Sequence, residues 1–250
     1  MSQLLQKQKD LWNRLAEYGA ERSVLDPNDR SGKKNAYIRY TVTKMLAKEF
    51  GCPDHASVLV DFGCGSGRNS RHLLDIGYSI IGIDISSELL NYTVEHRKSN
   101  DLFVLYNGES LPVLDNSIDG GFTNGVLICI IDDQVVGKIL SQLYGAVKPG
   151  GRMVFVEQVR RSRRMLNCGT KLQRTHNDYL KLLSSAGFIV TADDVIRRGH
   201  FPFIYLIRYN LLPSFCLPWV ASLESRIGKY FKKPLFDYAV TAFVCEKPLQ

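Results

Sequence analysis

The stretch Val58 to Asp84, VLVDFGCGSGRNSRHLLDIGYSIIGID, decides the fold. It opens on an apolar run, Val58-Leu59-Val60, of the kind that makes a buried strand, and Asp61 closes that run. Gly63-Cys64-Gly65-Ser66-Gly67 follows, with a glycine at every second position. Arg68 to Gly77 then carries apolar residues at Leu73, Leu74 and Ile76 and a closing glycine, the pattern of a helix and its stop. A second apolar run, Ser79 to Ile83, ends at Asp84. Strand, glycine turn, helix, strand and acid make half of a nucleotide-binding βαβ unit. The glycines let the backbone turn sharply and let a ligand approach the main chain. Amides at the start of the helix face that ligand. Asp84 stands where an acid accepts hydrogen bonds from both hydroxyls of a ribose.

The glycine spacing is G-x-G-x-G rather than the dinucleotide G-x-G-x-x-G, and Asp61 precedes the first glycine by two residues. A negative charge there repels a pyrophosphate. It suits a ligand that carries an ammonium and a sulfonium, S-adenosylmethionine. VDFGCGSGRNSRHLL with IIGIDIS resembles the first two motifs of class I S-adenosylmethionine-dependent methyltransferases. The resemblance extends over about residues 55–195 and implies an α/β fold: a Rossmann-like, seven-stranded, mostly parallel sheet with helices on both faces.

Later pieces fit the same family. Asn107-Gly108-Glu109-Ser110-Leu111-Pro112 resembles its acidic loop after strand three, where an Asp usually meets the adenine amino group. Counting back from Leu-Pro puts Asn107 in that place. An amide oxygen accepts the same bond, and Glu109 is the nearest acid. LPVLDNSIDGGFTNGVLICI resembles the run into and past strand four, and KPGGR the turn before strand five. Asn124 falls at the C-terminal end of strand four, the edge at which parallel sheets bind ligands. The cofactor-binding set that the resemblance implies is Asp61, Gly63, Cys64, Gly65, Gly67, Asp84, Ile85, Asn107, Gly108, Glu109 and Asn124. No cluster of metal ligands stands out.

Around this core we expect four parts. Residues 1–50 form an N-terminal helical closing segment, with one helix over Gln3–Tyr18 and a second from Ala36 to Phe50. Residues 51–196 form the cofactor-binding core, 197–236 a substrate cap inserted before the last strand, and 237–250 that strand. The cap holds the most apolar stretch, FPFIYLIRYNLLPSFCLPWV, residues 201–220. Arg208 and three prolines make it a poor membrane span. Its aromatics suit either the lining of a substrate pocket or a patch that rests on lipid.

The chemistry beyond the cofactor is less sharply drawn. Methyl transfer to a hydroxyl needs a base, and His176, at the head of a helix, is first choice. Glu157, near the end of strand five, is second, followed by Asp132 and Asp133. Tyr37, Tyr40 and Arg208 are placed against the substrate, and Asp26 and Asp29 stand as acids that could face it.

Composition bounds the rest. With 45% apolar and 23% charged residues in 250, the chain can bury a full core. Its six cysteines form no C-x-x-C pair and its first ten residues are polar, which reads as a cytoplasmic protein with reduced thiols, peripheral at most to the inner face of a membrane through 201–233. The net charge of +7 is uneven: residues 1–150 hold 16 Lys+Arg against 18 Asp+Glu, and residues 151–250 hold 16 against 7. That excess suits an anionic partner. The expected activity is O-methylation of a small molecule or a sugar. The alternatives are an RNA methyltransferase, with nucleic acid the weaker choice because no RNA-binding module is present, and a cofactor-binding regulator without catalysis.

Overall fold

The computed structural model describes residues 3–53, 55–94, 101–230 and 237–249. Its centre is a parallel sheet. β1 (Val58–Phe62) lies between β2 (Ser79–Asp84) and β4 (Ile118–Asn124). β3 (Asp101–Leu105) flanks β2, and β5 (Val147–Arg160) flanks β4. A short hairpin, β6 (Arg164–Leu166) and β7 (Lys171–Thr175), joins the far end of β5. β8 (Ile189–Arg198) and β9 (Ala239–Glu246) complete the sheet beyond β5, with β9 antiparallel to both neighbours. The main run is therefore β3-β2-β1-β4-β5-β9-β8.

Strands covered on both faces read as continuous apolar runs. In β9, seven successive residues from Ala239 are buried. Period-two alternation sends neighbours to opposite faces. Val60, Phe155 and Phe243 face α5 (Asp133–Ala146) and α6 (His176–Ser185). Leu59, Val154 and Val156 face α2 (Lys33–Phe50) and α3 (Arg68–Asp75). α1 (Gln3–Ala16) and α4 (Ser87–Val94) pack together near the β2 edge. Local chemistry starts the helices. The Asp132 side chain accepts from the Gln134 amide at 2.8 Å and opens α5. Thr175 and Asp178 exchange bonds in a capping box that opens α6.

The expected seven strands are present, and the β6–β7 hairpin adds two. The hairpin follows the basic run Arg160-Arg161-Ser162-Arg163-Arg164, and no apolar pattern marks it in the sequence. RMLNCGTKLQRT is too short and too charged to read as strands. Its turn is carried by Asn167 and Cys168 at positive φ.

The cap also differs from expectation. α7 (Pro202–Arg208), a 3-10 turn and α8 (Leu217–Tyr230) bury Phe201, Ile204, Ile207 and Val220 around Tyr37 of α2. The cap's buried aromatics therefore build a small core of their own. Its outer side leaves Tyr209, Leu211, Phe215 and Trp219 exposed. Among the described residues, no helix is long and apolar enough to cross a membrane.

Among the described residues, part of the charge excess of the last hundred is buried or paired. Arg174, Arg197 and Arg198 are buried. Arg152 pairs with Glu246 at 2.9 Å, Arg160 with Asp237, and Arg163 with Asp133 and Asp178.

Candidate active site

One cavity of about 350 Å³ opens along the C-terminal edge of the sheet. At one end it is walled by Gly63, Gly65, Ile83, Asp84, Ile85 and Leu89. At the other end it is walled by Gln8 and Trp12 of α1, Asp26, Lys34, Gln158, Lys171, Arg197 and Tyr238. Asn124, Gly125, Val126, Ile128 and Cys129 join the two ends.

The glycine end is locked by its own backbone. The Gly63 and Cys64 amides donate to the Ile83 carbonyl at 2.7 and 3.1 Å. The Gly65 amide donates to Asp84 Oδ2 at 2.8 Å, and the Ser86 amide to Asp84 Oδ1 at 2.9 Å. Gly63 and Gly65 have φ of +78° and +55°, which side chains disfavour. A Cβ on Gly63 would stand 2.2 Å from Val126 Cγ2, so the close packing itself requires glycine there. Asp84 is buried, and burial raises its carboxyl above the ordinary value while the amide bonds oppose that rise. The Ile85 amide also bonds to this carboxylate, which leaves about one of its roughly four acceptor positions for a ribose hydroxyl. The donors and acceptors at this end fit an adenosine: Asp84 would hold the ribose, and Ile85 and Leu89 would supply apolar surface beside the base.

The remaining residues of the implied cofactor set lie elsewhere. Asp61 is not part of the cavity wall. It is 1% exposed, accepts from Ser70 Oγ at 2.6 Å, and burial pushes its carboxyl up to about 7. It thus anchors α3 to β1, and the fixed charge expected beside the glycine turn is turned away from the cavity. Cys64 is buried under the loop, and burial pushes its thiol well up. Gly67 begins α3. Asn107 Oδ1 accepts from the Glu109 and Ser110 amides at 2.9 and 3.1 Å, so its oxygen closes its own turn. Neither Asn107, Gly108 nor Glu109 lines the cavity, whereas Gly63, Gly65, Asp84, Ile85 and Asn124 do.

Glu157 and His176 are both outside the cavity wall. Glu157 is fully buried. Its Oε1 accepts from the Val126 and Leu127 amides and its Oε2 from the Ile128 amide, at 2.8–3.1 Å. Burial pushes its carboxyl up to about 7. Arg174 completes the clamp: it donates to Asp133 Oδ1 and to the Leu127 and Ile130 carbonyls at 2.7–2.9 Å. Glu157 takes the amides of the loop after β4 and Arg174 takes its carbonyls. Together they set the wall formed by Val126, Ile128 and Ile130. His176 Nε2 sits 2.7 Å from Asp193 Oδ2, with its ring beside Phe243. Asp132 is the α5 cap and Asp133 is paired with Arg163 and Arg174.

The substrate candidates also separate. Tyr37 is fully buried and its hydroxyl donates to Glu224 Oε2. Tyr40 packs on the cap, and Arg208 is exposed on α7. Asp29 accepts from the Asn35 amide at 2.8 Å and from Ser31 Oγ at 2.9 Å, which fixes the start of α2. Asp26 does reach the cavity, ion-paired to Lys34 at 2.5 Å. Burial works to raise its carboxyl, but the bonds from Lys34 and the Asn28 amide outweigh burial and hold it below its ordinary value. Sequence reasoning missed Gln8, Gln158, Lys171, Arg197 and Tyr238. Gln8 and Trp12, four residues apart, share a helix face, but nothing in the sequence says what that face meets.

Residues 60–155 match the family described as a methyltransferase domain. A malonyl-[acyl-carrier protein] O-methyltransferase from Yersinia pestis is 32% identical over 98 residues, 39% of this chain and 35% of that protein. An 18S rRNA (guanine-N(7))-methyltransferase from Arabidopsis thaliana is 30% identical over 39% of this chain and 36% of its own length. The chain thus spans only about a third of the length of either relative. Among solved structures, geranyl diphosphate C-methyltransferase from Streptomyces coelicolor superposes with a TM-score of 0.69 at 13% identity, covering 98% of this chain and 99% of that one. That likeness is one of fold.

Proposed function

We propose, from the premise that this chain carries a class I S-adenosylmethionine-dependent methyltransferase domain, that it methylates an oxygen of a small molecule or sugar. The observation that supports this reading most is the continuity of the cavity. One continuous space joins the glycine loop and Asp84 to a chamber lined by α1, β5, β8 and β9. An acceptor in that chamber would lie next to the reacting end of the cofactor.

S-adenosylmethionine, when bound, supplies a methyl group already activated on a sulfonium. The chain's own residues then have three tasks. Asp84 and the glycine loop would hold the adenosine at their end of the cavity. Gln8 and Trp12 of α1 close the roof and exclude water. This raises the weight of alignment, which contributes several kcal/mol when reacting atoms are held about 3 Å apart. Asp26 is the carboxylate at the acceptor end of the described cavity wall, and its pairing with Lys34 makes it a weak base. Such a base suits an acceptor oxygen that gives up its proton easily or arrives without one.

The test is to incubate the protein with methyl-labelled S-adenosylmethionine and fractions of the source cell. Label confined to the small-molecule or glycan fractions supports the reading. Label in RNA overturns it in favour of the activity named for the rRNA relative. No label anywhere, with S-adenosylhomocysteine binding established by calorimetry, favours a cofactor-binding protein without catalysis.

We place the enzyme in the cytoplasm, with the cap resting on an anionic membrane surface. Exposed Tyr209, Leu211, Phe215 and Trp219 beside the exposed Arg208 support this. Co-sedimentation with phosphatidylglycerol vesicles, lost in Phe215→Ser with Trp219→Ser, would bear it out. No co-sedimentation of the unaltered protein would remove it.

A further inference from the structure

We propose that the acceptor carries an anionic group, a carboxylate or a phosphate, seated by Arg197, with Lys171 as the second cation of the same chamber. This rests on the methyltransferase reading above and narrows its substrate.

Arg197 is 6% exposed, yet its guanidinium makes no hydrogen bond or ion pair with a described residue. Its nearest aromatic partner is the Tyr238 ring, 6.0 Å from the guanidinium carbon. The other large buried arginine of the site, Arg174, has three acceptors within 3 Å. A guanidinium that lines a cavity and has no hydrogen-bond acceptor is open to a ligand that supplies one.

The register of the sheet shows where the Arg197 side chain goes. Arg197 lies opposite Val240, and Val240 lies opposite Gln158. These three line the same cavity in one row across β8, β9 and β5. Gln158 accepts from Gln173 at 2.6 Å, and its own amide N–H groups have no partner among the described residues. They are further donors for an anion.

The charged groups around Arg197 leave its guanidinium without a hydrogen-bonded carboxylate among the described residues. Glu224 lies close enough for the two charges to interact, but its Oε2 accepts from Tyr37 and its Oε1 from the Arg198 amide. Asp26 is matched by Lys34. On the opposite wall Lys171 sits 5.6 Å from the Trp12 ring centroid and has no carboxylate partner among the described residues. The chamber therefore holds two cations to which no carboxylate is bonded among the described residues. Guanidinium forks match planar carboxylates and phosphates.

The anion belongs to the acceptor and not to the cofactor. Arg197 on β8 is five strand steps from Asp84 on β2, on the order of 20 Å at roughly 4.8 Å per step. Gln8 of α1 lines the same chamber.

Calorimetry with benzoate, phenyl phosphate and benzyl alcohol, each with S-adenosylhomocysteine present, tests the proposal. We expect the two anions to bind at least about tenfold more tightly than the alcohol, as one charge-assisted bond allows. The better of the two identifies the class. Arg197→Met should abolish the preference, Arg197→Lys should keep part of it, and Lys171→Met should reduce it several-fold. Both Met variants should bind S-adenosylhomocysteine as the unaltered protein does.

Equal binding of the three probes, or a preference that survives Arg197→Met, would overturn the proposal. So would an Arg197→Met variant that loses S-adenosylhomocysteine affinity while its probe preference is unchanged. Failure of the unaltered protein to bind S-adenosylhomocysteine would sink the methyltransferase reading instead. The probe preference measured without it would still decide the role of Arg197.

Discussion

The two ends of the cavity are built on different plans. The glycine end comes from one βαβ unit and is bonded to itself: Gly65 to Asp84, Gly63 and Cys64 to Ile83. The chamber end draws single residues from α1, the loop before α2, β5, β7, β8 and the approach to β9. Its groups are less satisfied: Arg197 has no ion pair and Gln8 Oε1 has no donor among the described residues. One end is a finished structure that a ligand fits. The other is a set of polar groups whose bonding a ligand would complete. Changes at the first should cost affinity for the cofactor and structure together. Changes at the second should leave the fold intact and alter which acceptor binds.

The largest expected effect is at Asp84. Asp84→Ala removes the acceptor for the ribose and for the Gly65 and Ser86 amides. We expect S-adenosylhomocysteine to bind at least about tenfold more weakly by calorimetry, the loss of one charged hydrogen bond. Unchanged affinity would break the comparison at its better-defined end.

Glu157→Gln comes next. It replaces an oxygen of the carboxylate that three amides face with an NH₂ group that repels at least one of them. A loss of about 2 kcal/mol in urea unfolding is expected. Glu157 acts here through the loop it holds, so methyl transfer should fall with that loop's order rather than with pH.

The third concerns Asp61. Its carboxyl is pushed up to about 7 in the fold from an ordinary 3.8. Between those values the folded protein keeps a proton that the unfolded chain has released. The stability this contributes is full below about pH 4 and is lost as pH rises through about 7. Relative to Asp61→Asn, the unaltered protein should therefore lose stability between pH 4 and pH 7.5 in urea melts. Equal pH slopes would mean that Asp61 stays charged beside the glycine loop.

The smallest effect is expected at His176. With its ring held by Asp193 and Phe243 away from the cavity, His176→Gln should change kcat less than about twofold, far below the loss on removing a general base. A hundredfold fall would return the base to α6 and move the reaction away from Asp26.

The parts of the site that could be read in advance share one property. Gly63, Gly65, Asp84, Ile85 and Asn124 sit where strand, turn and helix patterns place them, because ligands gather at the C-terminal edge of parallel strands. Asp61 lies off the cavity wall because alternation along β1 turns its side chain to Ser70 of α3. Asn107 was misplaced because its side chain had a nearer donor in its own turn. Glu157 and His176 carried the right chemistry for a base, yet both had partners from distant segments. Asp193 lies in β8, and the loop that Glu157 clamps follows β4.

The sequence by itself determined the sheet, the glycine turn and the acid that faces a ribose. Each depends on short-range rules: apolar period, glycine torsion and the order of elements. Only the tertiary structure decided which charges remain unpaired. Pairing depends on which distant segments meet, and in VIRRG nothing separates Arg197, which lines the chamber, from Arg198, whose backbone amide donates to Glu224 of α8.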